Sequence, residues 1–224
     1  MSKKRVFFVR HGETDWNAEQ RWQGHIDIAL SPVGIEQAER AADLLRSANL
    51  GIILSSDLKR ATQTAEIIAR QEKTPIITSS NLREVNVGIV EGWQRDDIVS
   101  DLGEATLLRW GSVLPEDLDF SFPEGETKSA ALMRSLTTIL SYLDQTAHEN
   151  VGIVFHGMIM RTLLHFLFPK LKDPLRIKNA QFFEAEYETS NQVWTPRGEL
   201  EKILEPEAVA FATADSSAVK PSWW

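Results

Sequence analysis

Short, wholly apolar runs followed by segments of helical periodicity constrain the fold of this chain most. The runs VFFV, GIIL and VGIVF lack the apolar–polar alternation of a half-exposed strand, which is typical of parallel strands covered on both faces. Strands that alternate with helices predict an α/β fold. We therefore expect a three-layer α/β/α sandwich with a mostly parallel central sheet and helices on both faces.

The individual elements follow from the same patterns. Strands are predicted at residues 5–9, 51–56, 74–78, 151–155, 181–189 and 199–204. Helices are predicted at residues 32–47, 61–71, 123–149 and 158–168, with one more inside 102–113. Ser31 is the expected N-cap of the helix over 32–47, ahead of Pro32. The buried stripe of that helix is predicted to contain Ile35, Ala38, Ala42 and Leu45.

The chain is long enough for one sizeable core. With 224 residues and 42% hydrophobic content, we expect a single domain over residues 1–205. The irregular stretch 93–125 is interpreted as a cap over a site, and Trp93 and Trp110 within it are expected mainly to pack in the core. Residues 206–224 are small and polar with an aromatic end, and are interpreted as a C-terminal extension.

Charge and cysteine content exclude several classes of function. Asp and Glu number 32 against 24 Lys and Arg, so the net charge is −8. Nucleic acids and anionic membranes need a basic surface, so we expect neither as a partner. The absence of cysteine excludes disulfides, thiolate nucleophiles and Cys-ligated metal centres. The N-terminal apolar run is too short for a signal peptide, and the sequence predicts a cytoplasmic protein.

One pattern occurs twice: a buried strand, then histidine, then glycine. FFVRHG places His11 and Gly12 after the first strand, and IVFHG places His156 and Gly157 after another. Ligand sites of parallel sheets lie at the carboxyl ends of strands, so two distant segments can bring both imidazoles to one crevice. A single His-Gly after a strand is more often an ordinary loop. The other three histidines lack this context; His165 is interpreted as a partly buried helix residue, and His25 and His148 as surface groups.

Three charged residues also lie at or after predicted strand ends. Arg60 lies close to a predicted helix start, where a guanidinium and free backbone N–H groups together favour an anion. Arg10 adjoins His11, and Glu84 follows the third predicted strand. Each also has an ordinary alternative, since an isolated arginine on a first helical turn is usually solvated and this acidic chain has many surface carboxylates.

Five blocks in order carry a resemblance to a known family. They are RHGETDWN, SSDLKRATQTAE, LREVNVGIVEG, PEGET and VGIVFHGMIMR. Together they resemble the histidine phosphatase superfamily, also called phosphoglycerate mutase-like proteins. The blocks run from about residue 5 to 161, and the resemblance is weak beyond residue 168. Phe155 stands where the family more often has a small residue, and Val90 where it often has an aromatic one.

The resemblance implies a role for each residue of the site. His11 would attack the phosphorus of a phosphate ester and form a phosphohistidine. Arg10, Arg60 and His156 would hold the equatorial oxygens of a loose transition state. Glu84 would protonate the leaving group and then activate water.

The resemblance also implies a set of binding residues. Substrate binding is expected at Arg10, Asn17, Gln23, Gly24, Arg60 and Gly157. No metal is implied, because the arginines supply the positive charge. No cofactor is implied either, except 2,3-bisphosphoglycerate if the protein is a mutase.

Three functions remain open from the sequence. The stretch VNVGIVEG lacks the tyrosine of the Tyr-Gly-x-Leu-x-Gly segment in phosphoglycerate mutases, which favours the phosphatase branch and hydrolysis of a small phosphate monoester. The alternative is a 2,3-bisphosphoglycerate-dependent mutase, and a further one is an inactive phosphate-binding protein. The expected partner is a small phosphorylated metabolite. An exposed strand edge at 181–189 is predicted to allow a homodimer.

Overall fold

A computed structural model describes residues 3–171 and 173–204, and the predicted extension 206–224 lies outside them. The strands are β1 (Lys3–Arg10), β2 (Ile52–Ser56), β3 (Ile76–Ser79), β4 (Asn150–Phe155), β5 (Phe182–Glu188) and β6 (Val193–Arg197). The α-helices are α1 (Asp15–Ala18), α2 (Pro32–Leu45), α3 (Lys59–Ala69), α4 (Arg95–Leu102), α5 (Glu104–Gly111), α6 (Lys128–Gln145), α7 (Gly157–Leu167) and α8 (Gly198–Leu204).

The six strands form one mixed, mostly parallel sheet in the order β3-β2-β4-β1-β5-β6. β3, β2, β4 and β1 are parallel, whereas β5 is antiparallel to β1 and β6 is antiparallel to β5. β1 and β4 are neighbours whose last residues, Arg10 and Phe155, lie opposite each other. The two His-Gly pairs that follow these strands therefore meet at one edge of the sheet.

The sheet is covered on both faces, which confirms the predicted α/β/α layering. On one face, Phe7 and Val9 of β1 belong to a core cluster shared with α2 and α3. On the other face, Val6 and Phe8 belong to a larger cluster shared with α4 to α7. Alternate residues of β1 thus enter two separate cores, which explains the continuous apolar run in its sequence.

The predicted helices form with small changes of boundary and face. Ser31 is the N-cap of α2, since its hydroxyl accepts from the Gly34 N–H at 3.1 Å. Ile35 is 41% exposed, so its predicted place in the buried stripe of α2 is wrong; Gly34 and Ala41 are buried there instead. α3 begins two residues earlier than predicted and thereby includes Arg60 in its first turn.

Two predictions near the C-terminus are wrong. Residues 199–204, predicted as a strand, belong to α8, in which only Leu200 is buried. Residues 181–189 are not a free sheet edge, because β5 pairs with β1 on one side and with β6 on the other. The unpredicted strand β6 forms that edge of the sheet.

The middle segment, residues 93–125, contains more helix than the sequence predicts. The predicted helix inside 102–113 is α5, and α4 precedes it. No helix within the described ranges is long and apolar enough to cross a membrane.

Candidate active site

His11 lies directly beyond the end of β1 and is 3% exposed. Its Nδ1 lies 2.6 Å from the carbonyl oxygen of Gly12. A carbonyl only accepts, so Nδ1 carries the proton and Nε2 retains its lone pair. Burial and the charges of Arg60 and Arg10 lower the pKa of His11 well below its ordinary value, which keeps the ring neutral. The structure therefore presents a neutral imidazole with one basic nitrogen.

Gly12 allows this strand end to pack against the start of α2. A Cβ added at Gly12 would lie 2.4 Å from the carbonyl oxygen of Gly34. The N–H of Gly12 donates to the hydroxyl of Thr64 on α3 at 3.0 Å. The glycine in the His-Gly pair is thus required by a close backbone approach, which fixes the position of His11.

His156 follows β4 and is fully buried beside His11, with ring centroids 5.2 Å apart. Arg60 Nε donates to its Nδ1 at 3.2 Å, and its Nε2 lies 2.8 Å from the Ser56 hydroxyl. Because Nδ1 accepts, the proton of the neutral ring is on Nε2 and is donated to Ser56. Burial, Arg60 and His11 lower the pKa of His156 well below its usual value. The ring is close to the cavity but does not line it.

Arg60 is the link between the histidines and the loop after α1. It is 1% exposed, and besides its bond to His156 it donates to the carbonyl oxygens of Gly24 at 2.8 Å and Ile26 at 2.7 Å. Burial lowers its pKa to about 10, which leaves the guanidinium charged at neutral pH. Three of its five N–H groups donate to His156, Gly24 and Ile26, so two remain for a ligand.

Two further arginines have buried nitrogen atoms with no hydrogen-bond partner in the part of the chain that the structure describes. Arg10 donates to the Ile177 carbonyl, but its Nε, which lies over Gly157, has no hydrogen-bond partner within the described residues. Arg161 donates from Nε to the Leu175 carbonyl at 2.9 Å, and its Nη1 likewise has none there. Buried polar groups without partners are uncommon, so both arginines are suited to receive an anion.

Glu84 is held at the N-terminus of α7. One carboxylate oxygen accepts from Ile159 N–H and the other from Met158 N–H, both at 2.9 Å. Its own carbonyl accepts from Arg134 at 2.8 Å and lies 2.8 Å from Nε2 of His25. The expectation that His25 is merely a surface group is therefore wrong, because it supports the segment that carries Glu84.

These residues surround a cavity of about 180 Å³. That is below the roughly 300 Å³ at which drug-sized ligand sites begin, which suits a small metabolite. Of the residues predicted from the sequence, those lining it are Arg10, His11, Asn17, Gln23, Gly24, Arg60, Glu84 and Gly157. Arg21, Trp22, Trp110, Met158 and Arg161 also line it and were not predicted as site residues. Phe155 does not line it, since it packs in the core against Phe8.

The loop after His11 is held by amides. Asn17 Oδ1 accepts from the Thr14 N–H and from Asn179 Nδ2, both at 3.2 Å. The NH₂ group of Asn17 takes no part in these two bonds. Gln23 Oε1 accepts from the Thr14 hydroxyl at 3.0 Å. The two predicted binding amides are thus fixed by the same turn.

One aromatic wall comes from the middle segment. Trp110 packs against Trp22 and Phe122, with ring centroids 5.5 and 5.0 Å away. Trp110 therefore both lines the cavity and belongs to the core, whereas Trp93 packs only against the core. Among the residues that the structure describes, no group of acidic or histidine side chains is arranged to hold a metal ion.

Comparison with known proteins agrees with this geometry. A 33% identity over 196 residues relates the chain to "Probable phosphoglycerate mutase GpmB" of Proteus mirabilis, covering 86% of this chain and 88% of that protein. Its counterpart in Yersinia pestis is 33% identical over 189 residues, covering 83% and 86%.

Solved structures with the same fold include phosphatases. The mycobacterial glucosyl-3-phosphoglycerate phosphatase in complex with VO3 matches with a TM-score of 0.77 and 25% identity, covering 87% of this chain and 97% of that one. The YhfR protein of Bacillus stearothermophilus matches with a TM-score of 0.76 and 27% identity, covering 90% and 100%. The family model of the histidine phosphatase superfamily, branch 1, matches residues 6–197. The chain belongs to the histidine phosphatase superfamily, a family of phosphatases and phosphoglycerate mutases.

Proposed function

We propose that the protein hydrolyses a small phosphate monoester through a phosphohistidine at His11. The observation that carries the proposal is the neutral His11 ring, whose Nδ1–H is bound by the Gly12 carbonyl and whose Nε2 is left basic in a cavity that Arg10 and Arg60 also line. Nε2 would attack phosphorus as the ester P–O bond breaks. Glu84 would give a proton to the leaving oxygen. Water would then attack the phosphohistidine, pass a proton to Glu84 and release phosphate.

The remaining charged groups would bind the phosphoryl oxygens. Arg10 would use its unpartnered Nε, and Arg60 its two remaining N–H groups. In the free protein, both nitrogens of His156 are engaged by Arg60 and Ser56. We therefore propose a phosphoryl contact from His156 only in the imidazolium form, in which Nδ1 donates. The arginines would supply the positive charge that a metal ion supplies in other phosphoryl-transfer sites, so the proposed reaction uses no metal and no cofactor.

Phosphate release from a panel of phosphomonoesters tests the proposal. We expect wild type and the control variant His148→Ala, changed at an exposed histidine, to release phosphate at similar rates. His11→Ala should lose about three or more orders of magnitude, because the nucleophile is absent. Equal rates for wild type and His11→Ala on every ester would show that the nucleophile is assigned wrongly.

A phosphoglycerate mutase is the second candidate, favoured by the names of the relatives at 33% identity. A mutase must keep water from its phosphohistidine, whereas a phosphatase must admit it. Val87 lines the cavity beside Glu84 and has no hydroxyl, in a segment where the mutases carry tyrosine. We therefore expect phosphate release to exceed 2- to 3-phosphoglycerate exchange measured with 2,3-bisphosphoglycerate. Faster exchange than release would favour the mutase.

Domain organisation, cellular location, oligomeric state and ligand are proposed as the sequence predicts them, with one change. We propose one domain over residues 1–205 in which residues 93–125 cap the cavity, supported by Trp110 in its wall. A cytoplasmic location stays a prediction. A homodimer also stays a prediction, but β5 cannot form its interface as an edge strand because it is paired on both sides. A small phosphorylated metabolite is the proposed ligand.

A further inference from the structure

The cavity carries more positive charge than one phosphoryl group requires. Four arginines and, among the described residues, a single carboxylate line it, namely Arg10, Arg21, Arg60, Arg161 and Glu84. Arg21 is paired with Glu19, and Glu84 is neutral when it holds the proton that the proposed reaction needs. With both histidines neutral, Arg10, Arg60 and Arg161 then give the lining three positive units. A phosphate dianion balances two of them, so one unit is left for another anionic group.

The proposed reaction leaves two of these arginines unused, Arg21 and Arg161, and of the two Arg161 is the buried one. The residue is 7% exposed, one nitrogen is bound to the Leu175 carbonyl, and buried Nη1 has no partner in the described part of the chain. Arg21, by contrast, donates to Glu19 at 2.7 Å and to the Gly92 carbonyl at 2.8 Å. The unbalanced charge of the cavity therefore lies at Arg161.

The position of Arg161 separates it from the phosphoryl contacts. It follows Gly157 by one turn of α7 on the same face of the helix, about 6 Å along the axis. Gly157 lies against Arg10, so the backbone of Arg161 is one helical turn beyond the position that faces Arg10, and its Nε is held by the Leu175 carbonyl. The nearby wall residues Trp110 and Met158 carry no negative charge. Arg161 is thus placed for a group of the ligand other than the transferred phosphoryl.

We propose that Arg161 is a specificity-determining residue that binds a second anionic group, a carboxylate or another phosphate, on the part of the substrate that leaves. The inference rests on the proposed phosphatase function and names the substrate class of that site. A guanidinium binds either oxyanion through paired N–H donors, so the two share one chemistry.

Non-hydrolysable phosphonates test the inference without turnover. 3-Phosphonopropionate and propylphosphonate differ by a carboxylate in place of a methyl group, and ethane-1,2-bisphosphonate carries a second phosphonate instead. By titration calorimetry, wild type should bind one of the doubly anionic ligands about 10- to 100-fold more tightly than propylphosphonate. Which of the two is preferred identifies the second group. No preference in wild type would overturn the inference.

Two variants at Arg161 and one control locate the effect. Arg161→Met should abolish the preference, with a far larger loss of affinity for the doubly anionic ligand than for propylphosphonate. Arg161→Lys keeps the charge and should retain part of the preference, even if Arg161→Met proves unstable. Arg176→Met removes a charge from an exposed site in the adjacent loop and should keep the full preference. An unchanged preference in both Arg161 variants would contradict the assignment.

Hydrolysis separates this inference from the proposed function. We expect wild type to hydrolyse 3-phosphoglycerate with a higher kcat/KM than glycerol 3-phosphate, which lacks the carboxylate, if the carboxylate ligand is preferred. Failure to hydrolyse any ester, with the phosphonate preference intact, would remove the phosphatase function and leave the anion site. Hydrolysis without any preference would remove only the role of Arg161.

Discussion

The surroundings of Glu84 give its proposed role a sharp test. Both carboxylate oxygens accept backbone N–H groups of α7, which fixes the side chain in the wall of the cavity that His11 also lines. In Glu84→Gln the shape is kept but no proton can be donated, so kcat for an alkyl phosphate should fall about 100- to 10,000-fold. p-Nitrophenyl phosphate has a leaving group that needs no proton, so the formation of its phosphoenzyme should be affected far less. Equal losses in the rate of phosphoenzyme formation for the two esters would contradict the acid role.

Residues in short local motifs were predictable from sequence, and residues defined by distant contacts were not. His11, Arg60 and Glu84 each belong to a recognisable block, and all three line the cavity. Ser56 and Arg161 stand in such blocks too, but the sequence assigned neither a role. Ser56 bonds to His156 across 100 residues, and the contacts of Arg161 are the Leu175 carbonyl that it binds and the nitrogen without a partner in the described residues.

At the scale of elements, Lys128 connects the middle segment to the main body. It is fully buried at the start of α6, and its Nζ donates to the carbonyls of Arg109, Trp110 and Ser112 at 2.6–2.9 Å. Burial lowers its pKa to about 8. Its bonds satisfy the C-terminal carbonyls of α5 and hold Trp110 in the cavity wall.

Replacing Lys128 should therefore affect substrate binding more than chemistry. Lys128→Met leaves three buried carbonyls without a donor, so we expect a loss of about 2–4 kcal/mol in the free energy of unfolding. KM should rise about tenfold as Trp110 shifts, while kcat changes little. Steady-state kinetics and denaturant unfolding measure both, with exposed Lys202→Met as control. A fall in kcat at constant KM would show that α5 does not shape the binding site.

Elements with strong periodicity were predicted and short ones were not. The stripe Leu132, Leu136, Ile139 and Leu143 of α6 is buried as expected. Residues 199–204 alternate weakly, but Leu200, Ile203 and Leu204 also fit helical spacing, and six residues are too few to decide. β6 contains Pro196, which argues against a central strand but is compatible with the edge position that it takes.

At the scale of the whole molecule, the two buried histidines predict how stability depends on pH. Burial chiefly, with neighbouring Arg60, lowers the pKa of both His11 and His156 in the folded chain. Below the unfolded value of about 6.5, the unfolded chain binds protons that the folded chain does not. The free energy of unfolding should therefore decrease as pH falls below about 6.5, by up to about 1.4 kcal/mol per pH unit for each histidine.

Denaturant unfolding in phosphate-free buffers between about pH 7.5 and pH 5 measures this dependence. His156→Asn should have a slope smaller than that of wild type, by up to about 1.4 kcal/mol per pH unit as the pH falls below about 6.5. His148→Asn, changed at an exposed histidine outside the cavity, measures the effect of removing an imidazole as such. A slope in His156→Asn identical to that of wild type would contradict the neutral state of the buried ring.

The fold places three strand ends and one helix N-terminus around a single imidazole, that of His11. The most direct test is to mix the protein with ³²P-labelled p-nitrophenyl phosphate, quench in alkali within the first turnover, and locate the label by peptide mapping. If His11 is the nucleophile, wild type carries alkali-stable label on His11, and the same peptide of His11→Ala carries none. Turnover by wild type with no label ever on His11 would contradict this assignment.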